Sequence, residues 1–161
     1  MNIIRHNFQI KAIDQHQISH LFLYADSELR KQNSARIIVD KKPGVPCRVS
    51  LEDANIGEEV ILFSYQHHNV SSPYKASGPI YVRKNQKNIR LKPNEIPFML
   101  THRLLSVRGY NDDGIMMNAI TVHGIKLLEV IQDFFDNLEI KYLHIHNANP
   151  GCYNCHIDRI H

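Results

Sequence analysis

The stretch Tyr142-Leu-His-Ile-His-Asn-Ala-Asn-Pro-Gly-Cys-Tyr-Asn-Cys-His-Ile-Asp-Arg159 reads as strand, tight turn, strand. Leu143 and Ile145 alternate with His144 and His146. Successive side chains on a strand point to opposite faces, so the aliphatic pair is expected to meet a core while the imidazoles point the other way. By the same alternation Tyr153, Cys155 and Ile157 are expected to share a face with Arg159, an awkward place for a cation that lacks a partner. The segment gathers three histidines, two of the three cysteines, an aspartate and an arginine, a denser set of reactive side chains than any other.

Working upstream, residues 104–110 and 115–122 read as a second hairpin turning through Asn111-Asp-Asp-Gly114. Between the hairpins a helix is expected over residues 124–136. Ile125, Leu128, Ile131, Phe135 and Leu138 fall at three- and four-residue steps, with Lys126, Glu129, Gln132 and Asp136 between them. Such a stripe packs against a core. Further strands are expected at residues 8–13, 35–39, 59–65 and 79–83. Another is expected at 47–51, where Cys47, Val49 and Leu51 alternate with Arg48 and Ser50 so that one face is buried. Asp14 is placed to cap a helix carrying Ile18, Leu21 and Phe22, and Asp26 to restart a helical turn through Leu29. Many short strands with few helices predict one α+β domain over residues 1–161. Its mainly antiparallel sheet should be covered by the long helix of the C-terminal half and by the N-terminal helical segment.

A chain of 161 residues can bury a real core, and 43% hydrophobic with 22% charged residues describes a globular rather than a disordered protein. Nineteen basic against sixteen acidic residues leave +3. With no Lys/Arg run and no recognisable motif, nucleic acid is excluded as a partner. The eleven histidines add positive charge as pH falls, a balance that fits a small anionic molecule. The opening residues hold no apolar run long enough for a signal peptide, and nothing later could span a bilayer, so a cytoplasmic, membrane-free protein is expected. An odd count of three cysteines argues against a disulfide scaffold.

Residues 66–78 carry two histidines, a tyrosine, a lysine and three serines in a connection too long for a simple turn. Loops of this kind are often functional or mobile, although an ordinary surface loop is the plainer reading. Cys152-Tyr-Asn-Cys155-His156 has the letters of a haem attachment site but lies on the last strand of a chain without an export signal. His144, His146, Cys152 and Cys155 could present four zinc ligands, yet one short hairpin seldom supplies all four. In the plainer reading no metal is held, and Cys155 packs beside Ile157. Cys152 is a candidate nucleophile if a nearby histidine makes its thiolate, whereas Cys47 looks like a small core residue.

Four runs carry a resemblance. They are Lys42-Pro-Gly-Val-Pro-Cys-Arg-Val-Ser-Leu-Glu-Asp-Ala54, Ser72-Pro-Tyr-Lys-Ala-Ser-Gly-Pro-Ile-Tyr-Val-Arg83, Leu105-Ser-Val-Arg-Gly-Tyr110, and His146-Asn-Ala-Asn-Pro-Gly-Cys-Tyr153 with Asp158-Arg159. In order along the chain, they resemble the bacterial family catalogued as domain of unknown function 1203. The resemblance implies a single bacterial domain without an assigned activity or cofactor. It brings forward Cys47, Arg48, Gly78, Arg83, Arg108, His146, Asn147, Gly151, Cys152 and Arg159, and leaves Cys155 and His156 outside the pattern. Arg48, Arg83, Arg108 and Arg159 each lie in or at the end of an expected strand. Clustered, their planar guanidinium groups would suit a carboxylate or phosphate, with Asn147 and the Gly78 and Gly151 backbones completing the pocket. Otherwise they line a solvated face or pair with acids such as Asp53 and Asp158. Two function classes follow: an enzyme acting on a small anion with His146 as acid or base, or a non-catalytic binding or sensing module using the same pocket.

Overall fold

The structure, a computed structural model, describes residues 3–161 and contains two antiparallel sheets. In chain order its elements are β1 (Phe8–Lys11), α1 (Asp26–Lys31), β2 (Ala35–Ile38), β3 (Glu59–His68), β4 (Ala76–Arg83), α2 (Phe98–Thr101), β5 (Leu104–Tyr110), β6 (Met116–His123), α3 (Leu127–Asp136), β7 (Tyr142–Asn147) and β8 (Tyr153–Arg159). Five strands pair in the order β1-β8-β7-β5-β6, and three in the order β2-β3-β4. The α+β character and antiparallel pairing agree with the alternation and turn signals. Among the described residues no helix is long and apolar enough to cross a membrane.

The helix α3 covers one face of the large sheet. Leu127, Ile131, Phe134 and Phe135 interlock with Leu105, Val107, Leu143, Ile145 and Ile157, all buried. Burying each such side chain contributes about 1.5–3 kcal/mol. The helix comes close because Gly109 lies beneath it: a Cβ there would sit 2.9 Å from Phe134 and 3.0 Å from Ile140. The expected stripe is displaced. Residues 124–126 form a 3-10 turn before α3 and Asn137 caps its end, so Ile125 and Leu138 are exposed rather than packed.

The opposite face of the large sheet is covered by the small sheet. Tyr153 of β8 packs with Ile61 and Phe63 of β3 and Ile80 of β4, beside Cys47 and Val49. The N-terminal helical segment differs from expectation. It consists of 3-10 turns at Gln15–Gln17 and Ser19–Leu23, followed by the six-residue α1. Asp14 does cap the first turn, accepting from the His16 amide at 2.9 Å. Ile18, Leu21 and Leu29 insert into the cluster around the small sheet, not under the large one.

Two further strand expectations change. Residues 47–51 make only isolated bridges from Pro46 to Asp53 and from Cys47 to Tyr81, then turn. Leu51 adopts a φ of +50° and its amide bonds back to the Cys47 carbonyl. The alternation therefore fails, and Arg48 and Ser50 are buried along with Cys47, Val49 and Leu51. In contrast, both ends of the connection over residues 66–78 are absorbed into sheet, because β3 runs on to His68 and β4 starts at Ala76. That extension delivers His67 and His68 to the space between the sheets.

Candidate functional site

Strand β7 sorts its side chains as its alternation requires. Leu143 and Ile145 enter the α3 core, and His144 and His146 point to the other face. That face is not solvated, since the small sheet lies over it and leaves His144 2% and His146 1% exposed. On β5 the cross-strand partners of His144 and His146 are Arg108 and Ser106. From above, β3 contributes His67, whose ring lies edge-on to that of His146 at 5.0 Å and stacks on Tyr153 at 5.1 Å. A ring nitrogen from each of His67, His144 and His146 lies within 4.8 Å of the others.

The hydrogen bonds fix which nitrogens of His144 and His146 are bare. The Gly151 carbonyl can only accept, so Nδ1 of His146, 2.9 Å away, carries the proton and donates to it. His156 Nε2 lies 2.6 Å from Asp158 Oδ1, and its Nδ1 lies 3.1 Å from His144 Nε2. An ionised Asp158, held below the usual carboxylate range by His156 and Lys11, accepts from His156. The free Nδ1 of His156 then accepts from Nε2 of His144. What remains is Nε2 of His146 and Nδ1 of His144, both buried and without partners, together with Nδ1 of His67. Burial lowers the pKa of His67 to about 4, of His144 to about 2 and of His146 to about 3, so all three stay neutral at physiological pH. Neutral imidazoles with bare nitrogens are a donor set able to hold a cation, while burial makes them poor proton acceptors.

His68, at 3% exposure, is fully satisfied between the Tyr74 carbonyl at 2.7 Å and the Tyr142 hydroxyl at 2.6 Å. It braces the cluster from the side. A cavity of about 900 Å³ lies elsewhere, lined by Leu51, Leu91, Ile96 and Phe98. Of the charged groups bordering it, Asp53 is paired with Arg103 and Arg83 with Glu58.

The four arginines do not form one pocket. Arg159 lies on the α3 side, 4.5 Å over the Phe135 ring, and donates to the carbonyls of Phe135, Asn137 and Ile140 at the end of that helix. Arg83 is clamped by both carboxylate oxygens of Glu58 at 2.5 and 2.6 Å and by Glu52 at 3.1 Å. Arg48 is wholly buried, donating to the carbonyls of Tyr153 and Pro46 and to Cys152 Sγ at 3.2 Å. Arg108 borders the histidines with no carboxylate within 4.0 Å among the described residues, its Nε donating to Ser106 Oγ at 3.2 Å. Arg48 and Arg108 both act electrostatically on His146. Asn147 joins Arg48 at the thiol, its Nδ2 lying 3.1 Å from Cys152 Sγ, while the buried Asn154 holds its oxygen at 2.8 Å.

The hairpin set of four metal ligands is not assembled. Cys155 is buried in the α3 core, where burial pushes its thiol up to about 12. A bulge separates it from Tyr153: His146 pairs with Tyr153 but Ile145 with Cys155, which puts an extra residue, Asn154, into β8. Tyr153 therefore leaves the face of Cys155 and Ile157 and joins the histidines.

The family described as Protein of unknown function (DUF1203) matches residues 44–159. The chain belongs to that family. The DUF1203 span takes in both sheets except β1 and β2, and contains every residue of the histidine cluster with Arg48, Arg108 and Cys152. No curated protein and no solved structure matches the chain.

The residue that sequence reasoning missed is His67. Its signal was the pair His67-His68 directly after the apolar run of β3, a pattern that continues the strand as well as it starts a loop.

Proposed function

We propose that the protein binds a small oxyanion, of the carboxylate or phosphate class, at Arg108 beside the histidine cluster. The observation that carries this reading is an arginine bordered by uncharged imidazoles and by no acid. Grouped cations repel, and an uncompensated guanidinium in a partly dry site favours an anion. The buried Arg48 adds to the positive field at His146 and also lacks a carboxylate, while Asp158, the nearest acid along the hydrogen-bond chain, is taken up by His156 and Lys11. Binding alone accounts for this arrangement. Turnover would need Nε2 of His146 to take a proton, which burial and the nearby arginines disfavour, while Cys152, tied to Arg48 and Asn147, lies beside the site.

Phosphate or acetate added at low ionic strength should raise the melting temperature, with the gain shrinking as chloride is added. Arg108→Gln should abolish the gain. Arg108→Lys should weaken it despite the retained charge, because the bidentate geometry is lost. Equal stabilisation of wild type and Arg108→Gln would remove the basis of the reading.

A further inference from the structure

We infer that His67, His144 and His146 form a binding site for a divalent transition-metal ion of the imidazole-preferring kind, zinc being the type case. This goes beyond the anion reading and does not depend on it. It stands on the three bare nitrogens.

Buried polar atoms are nearly always paired, and one left without a partner costs about 1–3 kcal/mol. Here three such atoms occur together: Nδ1 of His67, Nδ1 of His144 and Nε2 of His146. Four buried side-chain atoms lack partners among the described residues, and three belong to this one cluster. Chance vacancies would be scattered.

The ligand geometry fits. Zinc holds imidazole nitrogens at about 2.0–2.1 Å, which in a tetrahedron sets them about 3.4 Å apart. One nitrogen from each ring already lies within 4.8 Å of the others, so the set needs only a modest contraction to reach that tetrahedron. The outer contacts are those that ligating histidines make. A metal-bound imidazole donates its other N–H to a carbonyl or to a carboxylate, which fixes the tautomer. His146 donates to the Gly151 carbonyl, and His144 donates through His156 to Asp158. Both rings are thereby prepared with the lone pair facing inward. His67 is steadied by its stack on Tyr153.

Three protein ligands leave a fourth position open. The ligands are neutral, so the ion keeps its full charge close to Arg108, and an anion at the open position offsets both. The ion would also join the two sheets, since His67 comes from β3 and the other two ligands from β7. A water molecule is the competing occupant, because it can donate to two lone pairs and accept from a third ring.

The test is metal content and metal titration of the full chain, purified without a histidine tag. Expected are close to one equivalent of metal per chain by elemental analysis, and intense four-coordinate ligand-field bands when cobalt(II) is added to chelator-treated protein. His67→Gln and His146→Gln should each abolish the bands, and His156→Gln should lower cobalt affinity by about 10–100-fold. Circular dichroism shows whether each variant folds; His67, the least buried ligand, serves as the primary variant and keeps the test decisive if His146→Gln does not fold. Folded wild type that takes up no cobalt, or cobalt bands that persist in folded His67→Gln, would overturn the inference. The anion reading is judged separately, by the phosphate response of the metal-free protein and its Arg108→Gln variant.

Discussion

His144 of β7 and His156 of β8 face each other in register, with Nε2 of the first 3.1 Å from Nδ1 of the second. Because Asp158 claims the other nitrogen of His156, this contact orients both imidazoles. Nitrogen-detected NMR should find His144 as the Nε2–H tautomer throughout pH 5 to 8, without titration, as expected for a ring whose pKa burial lowers to about 2. An Nδ1–H tautomer, or a midpoint near 6.5, would contradict the hydrogen-bond assignment.

The buried imidazoles also set an acid limit on stability. His67, His144 and His146 have folded pKa values lowered from 6.5 to about 4, 2 and 3. Below pH 6.5 the unfolded chain takes up protons that the folded chain refuses, so stability falls with pH through that window. Each group contributes about 1.4 kcal/mol per pH unit once the pH is well below 6.5. Urea titrations of metal-free protein at pH 7, 6 and 5 should show this loss, with a shallower dependence in His67→Phe.

Arg83 and Glu58 add a loss of the same sign in a lower pH window. The paired guanidinium lowers Glu58 from 4.5 to about 2, so the pair stabilises above 4.5 and loses that contribution as pH falls toward 2. Glu58→Gln should cost about 1–2 kcal/mol at neutral pH, since Arg83 keeps Glu52. The gap between variant and wild type should close as the pH is lowered, which denaturation midpoints at pH 7 and 3 would reveal.

Cys152 accepts hydrogen bonds from a buried arginine and from an amide. Cys152→Ser retains an acceptor and should cost under about 1 kcal/mol, whereas Cys152→Ala strands both donors and should cost about 1–3 kcal/mol. Equal stability of the two variants would show that the sulfur is not an effective acceptor.

A Cβ at Gly124 would lie 1.8 Å from the Leu100 carbonyl oxygen, a collision between backbone segments that no rotamer relieves. Gly124→Ala should therefore destabilise by about 3 kcal/mol or more, and a melting temperature within two degrees of wild type would be incompatible with this packing.

Local signals accounted for most of the strands. Alternation in Tyr142–Asn147 and the turn at Asn111-Asp-Asp-Gly114 act between near neighbours, and both were legible. Less legible were features decided by the second sheet. Once β3 and β4 cover β7, the polar face of an amphipathic strand becomes interior, and His144 and His146 change from solvated groups to buried ones. Arg48 resisted for a related reason: its partners are the Pro46 and Tyr153 carbonyls and Cys152, not acids that a charge pattern would reveal. Two of the three histidines of the site were visible in one hairpin. His67 lay in a segment that reads equally well as strand or loop until the partner strand is known.

The pairing of Phe8 with Arg159 has a temporal meaning. Strand β1 has a single neighbour in its sheet, and that neighbour is β8. A ribosome makes β1 well before β8, so β1 waits through the synthesis of the residues between them with its strand partner absent. The large sheet and the histidine cluster can only close after Tyr153 and His156 have left the exit tunnel. Contacts so distant along the chain slow the final closure. During that interval β1 presents an unpaired edge.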